Sequence, residues 1–131
     1  MWGAFKDGNR CWAVAEPEGA PRRAGGRAFA SVSWGGRGAR GQVSFRLARP
    51  KRQNSAVLLR IDDRLFQLIG GGDTAWAENA RADADIVAAM RTGVQMTLDT
   101  RAENGTGLRD TYPLRGAATA IDAAAIACAG G

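Results

Sequence analysis

Ala56-Val57-Leu58-Leu59-Arg60-Ile61-Asp62-Asp63-Arg64-Leu65-Phe66-Gln67-Leu68-Ile69 is two apolar runs joined by a pair of aspartates. Apolar runs this short suit strands and fall below helix length. Asp-Asp is turn chemistry, because a short carboxylate can bond the backbone of its own turn. The stretch predicts a β-hairpin with strands over 56–61 and 65–69.

Working toward the N-terminus, 2–6 and 10–15 read as strands around an Asp7-Gly8 turn signal, and 16–26, with Pro17 and Pro21, as a surface loop. Residues 27–34 alternate, with Ala28, Ala30, Val32 and Trp34 one way and Phe29 and Ser31 the other. A glycine-rich turn follows over 35–41. Residues 42–48 alternate again, with Val43, Phe45 and Leu47 on one face. A polar, basic loop covers 49–54.

Toward the C-terminus, Gly70-Gly71-Gly72-Asp73 reads as a turn and 74–77 as a short strand. The period then changes. A helix capped by Asp83 or Asp85 carries Ile86, Val87, Ala89 and Met90 and ends at Gly93. Strand 94–98 places Val94, Met96 and Leu98 together, and Asn104-Gly105 turns it back into 107–114. Residues 117–128 form an Ala-rich terminal helix. The expected fold is mainly β. It is a single domain over 1–131, an antiparallel β-sandwich or flattened barrel of eight or nine strands, with one short helix near 83–92 and a C-terminal helix.

Composition narrows the function. Of 131 residues, Leu, Ile, Val and Phe together make 23, so the core is lean. There is no His, which removes His general-base chemistry, His-ligated zinc and His-containing triads. No apolar run reaches the length of a transmembrane helix. Residues 1–60 carry 12 Lys/Arg against 3 Asp/Glu, while 61–131 carry 6 against 10. The basic half favours an anionic partner. Arg37, Arg40, Arg46, Arg49, Lys51 and Arg52 are the candidate contacts, with Trp34 as a stacking platform. The plainer reading of the same residues is an edge strand guarded by charge.

Other motifs have structural readings. Gly36-Arg37-Gly38-Ala39-Arg40-Gly41 matches G-x-G-x-x-G, but a strand follows it where a dinucleotide site needs a helix. Asp62, Asp63, Asp83, Asp85 and Asp110 are candidates for carboxylate chemistry, and the first four fit turns or a helix start. Asn104-Gly105-Thr106 is a glycosylation sequon and also an ordinary turn. Trp12 and Trp76 read as core. Cys11 and Cys128 are either two separate buried thiols or one bridge joining the ends of the chain.

Several segments in order resemble the invasion-associated locus B family of exported alphaproteobacterial proteins. These are Cys11-Trp12-Ala13-Val14-Ala15-Glu16-Pro17, the hairpin from Val57 to Leu68, and Gly72-Asp73-Thr74-Ala75-Trp76. They continue with Asp85-Ile86-Val87-Ala88-Ala89-Met90-Arg91-Thr92-Gly93, Gly105-Thr106, and Asp110-Thr111-Tyr112-Pro113-Leu114-Arg115-Gly116 before an Ala-rich helix. The likeness is weakest over 18–56. The family often has Ser where Pro113 stands, and an aromatic or aliphatic residue where Ala117 stands.

The resemblance implies a β-sandwich-like domain, export to the periplasm or cell surface behind a signal peptide absent from this sequence, and a Cys11–Cys128 disulfide. It implies no catalytic residue, cofactor or metal. The expected function is non-catalytic binding of a protein, glycan or envelope component. The rivals are an envelope-glycan enzyme using a carboxylate pair and a basic nucleic-acid-binding domain.

Overall fold

A computed structural model describes residues 1–19, 28–36 and 39–129. The elements are β1 (Gly3–Asp7), β2 (Arg10–Ala15), β3 (Phe29–Gly35), β4 (Ala39–Arg46), β5 (Val57–Ile61), β6 (Arg64–Gly71), β7 (Thr74–Trp76), α1 (Ala80–Thr92), β8 (Gln95–Arg101), β9 (Gly107–Pro113) and α2 (Ala117–Cys128). The strands form one antiparallel sheet in the order β1-β2-β3-β4-β7-β6-β5-β8-β9. The fold is mainly β, as expected.

The sheet stays open, with β1 and β9 as its edges. The two ends nevertheless meet. Trp2 Nε1 donates to the Pro113 carbonyl at 2.8 Å, and the Glu18 N–H donates to the Thr111 carbonyl at 2.7 Å. The inward residues of both halves share one core: Ala13, Val32 and Phe45 from one side, Leu59, Leu98 and Tyr112 from the other. The layers expected of a sandwich are therefore two halves of one sheet.

The hairpin forms with Asp62-Asp63 as its turn, and Asp62 takes a positive φ of 53°. Strand β6 runs on through Gly70 and Gly71, which the sequence reading gave to a turn, and pairs there with β7. The reason is space. A Cβ on Gly70 would stand 3.0 Å from Val57 Cγ2 and 3.1 Å from Lys51 Cδ, so a bare backbone is what lets the strand continue there.

Helix α1 starts earlier than the Asp83/Asp85 expectation. Asn79 is its N-cap, and its side chain accepts from the Ala82 N–H at 2.8 Å. Asp83 lies in the first turn and reaches across to β4, accepting from the Val43 N–H at 3.0 Å. Val94 departs from the inward row of Met96 and Leu98 and is 77% exposed. It precedes β8, and its N–H is held by the Asp62 carboxylate at 3.1 Å. Gly93 is required by space as well. A Cβ there would come within 2.9 Å of Ile61, Leu114 and the Ala89 carbonyl.

Helix α2 packs on β1, β2 and β3. Its buried residues are Ala117, Ala120, Ile121 and Ala124, and the facing residues of β2 are Cys11, Ala13 and Ala15. Small side chains on both surfaces let helix and sheet approach closely, but each buries little apolar area. The Cys11–Cys128 disulfide closes this joint across 117 positions of sequence, with Cα atoms 6.0 Å apart. Lys6 Nζ adds a cation at the end of α2, 3.2 Å from the Ala127 carbonyl.

A disulfide that closes so long a loop removes much unfolded-state entropy. Replacing both Cys11 and Cys128 by Ser should lower unfolding stability by about 4 kcal/mol. Denaturant titration of the oxidised wild type beside the double variant measures this, and equal midpoints would show that the bridge contributes nothing.

Candidate functional site

The bridge fixes which way β2 faces. Cys11, Ala13 and Ala15 point inward and are buried, so Trp12 and Val14 point outward. Cross-strand register extends that outer surface. Phe5 pairs with Trp12, Trp12 with Ser33, and Ser33 with Gln42. A second row runs from Gly3 through Val14, Ser31, Ser44 and Trp76 to Ile69. Phe5 is 53% exposed and Trp76 38%.

The Phe5 and Trp12 rings lie side by side, with centroids 6.3 Å apart and planes 25° apart. The Phe5 ring covers Gly3, where a Cβ would meet it at 3.1 Å. Between β1 and β3 this surface forms a groove of about 400 Å³ lined by Asp7, Arg10, Trp12, Phe29, Ser31 and Ser33. Trp12 and Trp76 are thus surface residues, contrary to the sequence reading. The large rings in the core are Trp2, Phe45 and Tyr112. Trp34, expected as a stacking platform, packs inward against the core, beside Gly41 at the bulge where β3 and β4 shift register.

The six basic candidates do not gather on one face. Arg37 lies outside the described residues. Arg40 pairs with Trp34 near one end of β4, while Arg46 at the other end pairs with Phe29. Those two are about 20 Å apart along the strand. Arg46 Nε is 3.3 Å from the Asp73 carboxylate. Arg49 and Arg52 are exposed on the loop after β4. Lys51 is only 8% exposed, and its ammonium donates to the Arg52 carbonyl at 2.8 Å. Arg10 was not among the six, yet it lines the groove. The signal available for it was the alternation of β2, which sets Arg10 on the same side as Trp12.

A second groove, about 730 Å³, lies over β5, β8 and β9 and carries Arg60, Arg101, Arg109 and Asp99. Arg101 and Arg109 fall in the acidic half of the chain, so charge counting missed them. Two are already engaged. Arg109 bonds Asp99 at 2.7 Å, and Arg101 donates to the Gly105 carbonyl at 3.0 Å.

Of the five candidate acids, Asp62 and Asp83 bond backbone N–H groups. Asp62 accepts from the N–H groups of Val94 and Gln95, joining the β5–β6 turn to β8. Burial raises the Asp83 carboxyl from its ordinary value, partly offset by the Val43 N–H. Asp63 and Asp85 are exposed. Asp110 differs. It pairs with Leu98, which points inward, and burial followed by the nearby Asp99 charge pushes its carboxyl up to about 6. Next inward is Tyr112, whose hydroxyl is buried without a hydrogen-bond partner. Burial raises that phenol too, with smaller contributions from Asp110 and Glu16. Among the described residues, no three His, Cys, Asp or Glu side chains are grouped to hold a metal ion. No described helix is long and apolar enough to cross a membrane.

The glycine fingerprint opens no helix, since β4 starts at Ala39; Arg37 and Gly38 lie outside the described residues. In the sequon, Asn104 Oδ1 accepts from the Thr106 N–H at 3.0 Å, with Gly105 at φ 87°.

A family model described as "Invasion associated locus B (IalB) protein" matches residues 6–125. The chain belongs to this family. No curated protein matched it, and no solved structure did.

The raised Asp110 carboxyl has a consequence for stability. From an ordinary value of 3.8 it rises to about 6 in the fold. Between those values the unfolded chain gives up its proton first, so rising pH favours unfolding. Wild-type stability should therefore fall relative to Asp110→Asn as pH rises from about 4 to about 6, then run parallel above that. Allowing for solvent screening, the difference is of the order of 1 kcal/mol. Unfolding midpoints of both proteins at closely spaced pH values provide the check.

Proposed function

We propose that this member of the invasion associated locus B family is an exported, non-catalytic binding protein of the cell envelope or surface. The outer face of β1–β4 and β7 is its contact surface, and its partner is anionic. The observation that carries this reading is the outward group of Phe5, Trp12, Val14 and Trp76 on a sheet whose opposite face is the core. Large rings left in solvent mark an interaction site more often than chance exposure does.

Three further features support it. Arg10 and Arg46 stand on this face, and Asp7 is the acid in its groove. A disulfide between the ends of the chain suits an oxidising compartment outside the cytosol. Asp62 and Asp83 are taken up by backbone N–H groups and Asp73 and Asp99 by arginines, which counts against a carboxylate-pair enzyme.

The test is adsorption of the purified, disulfide-intact chain to isolated cell envelopes and to host-cell surfaces at low and moderate salt. Retention should weaken as salt screens the arginines. It should also drop in Phe5→Ala/Trp12→Ala, whose unfolding midpoint should stay near that of the wild type. Retention that ignores both salt and the double substitution would overturn the proposal.

A further inference from the structure

The outer face is not uniformly apolar, and its pattern points to one chemical class of ligand. Its aromatic groups are spread across it. Phe5 and Trp12 are at the β1–β2 side, Phe29 is on β3, and Trp76 is on β7. From β2 to β7 is three strand spacings, about 14 Å. The floor between Trp12 and Trp76 carries the polar side chains of Ser31, Ser33, Gln42 and Ser44. The two β3 hydroxyls make only long bonds, 3.5 Å, from Ser31 Oγ to the Ser44 carbonyl and from Ser33 Oγ to the Gln42 carbonyl. Both hydroxyls therefore retain capacity to bond a ligand.

A saccharide chain has the matching chemistry. Each sugar ring shows an apolar C–H face, which packs on an aromatic ring, and a rim of hydroxyls, which needs hydrogen-bond partners. A peptide ligand would instead seek apolar pockets for its side chains or a free strand edge. Trp12, Trp76 and the serines lie on β2, β3, β4 and β7, which are paired on both sides, and the floor carries three serine hydroxyls. Charge narrows the class further. Arg10 lies in the groove, and Arg46 pairs with Phe29, which also lines it. The groove's own volume, about 400 Å³, falls within the range of small-ligand sites.

We infer that the face binds an acidic oligosaccharide. Its rings pack on Trp12 with Phe5 and on Trp76, its hydroxyls meet the serines and Gln42, and its acidic groups meet Arg10 and Arg46. This inference rests on the outer face being the contact surface and adds the class of ligand.

The probe set is a panel of uronate, sialylated and sulfated hexasaccharides, matched neutral hexasaccharides, and a single-stranded DNA hexamer. Each is titrated into the disulfide-intact chain by calorimetry, with tryptophan fluorescence alongside. The expected result is binding of acidic hexasaccharides in preference to neutral ones. Trp12→Ala and Trp76→Ala should each weaken it about ten-fold. Arg10→Gln should reduce both affinity and its salt dependence. Ser33→Leu, which fills the floor without adding charge and keeps both rings, should also weaken it. Unfolding midpoints identify any variant that has lost its fold.

Equal binding of neutral and acidic chains, preference for DNA, or no binding anywhere in the panel would overturn the inference. If no saccharide binds but envelope retention still depends on Phe5 and Trp12, the contact surface stands and the ligand class falls. If retention is indifferent to them as well, both fall.

Discussion

The bridge between Cys11 and Cys128 is the constraint on which the rest of the molecule turns. It ties the second strand to the last residue of the last helix, so nearly the whole chain lies inside one closed loop. It also sets an orientation. With Cys11 turned inward, alternation places Ala13 and Ala15 under α2 and turns the half-buried Trp12 and Val14 to the outer face. The position of one sulfur atom thus decides which face of β1–β4 is core and which is free to bind.

The alanine content belongs to the same design. Ala117, Ala120 and Ala124 on α2 lie over Ala13 and Ala15 on β2. Such a joint allows close approach and supplies little hydrophobic free energy. The covalent link compensates for that. The large side chains that remain inside, Phe45, Tyr112, Leu59 and Leu98, fill the wider space between the two halves of the sheet.

The polar residues follow a parallel logic. Asp62 turns a hairpin and also anchors the start of β8 through two N–H groups. Asp83 ties α1 to β4, and Arg91 pairs with Asp122 to join the two helices. These carboxylates act as long-range fasteners in a chain with few large aliphatics. Asp110 alone faces the core at a half-buried position, and its carboxyl responds by holding its proton more tightly.

Local rules were enough for most of the fold. Alternation in β3 and β4, the Asp-Asp turn between β5 and β6, and the small, apolar α2 are all written in short windows, because side-chain period and turn chemistry act over a few residues. Windows of that size could not show that Gly70 and Gly71 continue a strand, since Val57 and Lys51 occupy the space from elsewhere in the chain. Nor could they show that Asn79 caps α1 while Asp83 serves β4, or that Lys51 is buried. The tryptophans divide the same way. The sequence alone determined that four indoles had to be placed around a lean core. Only the tertiary structure put Trp2 and Trp34 against that core and Trp12 and Trp76 on the outer face. The sign of an alternating strand depends on what packs against it, and for β2 that is a helix more than a hundred residues away, held there by the disulfide.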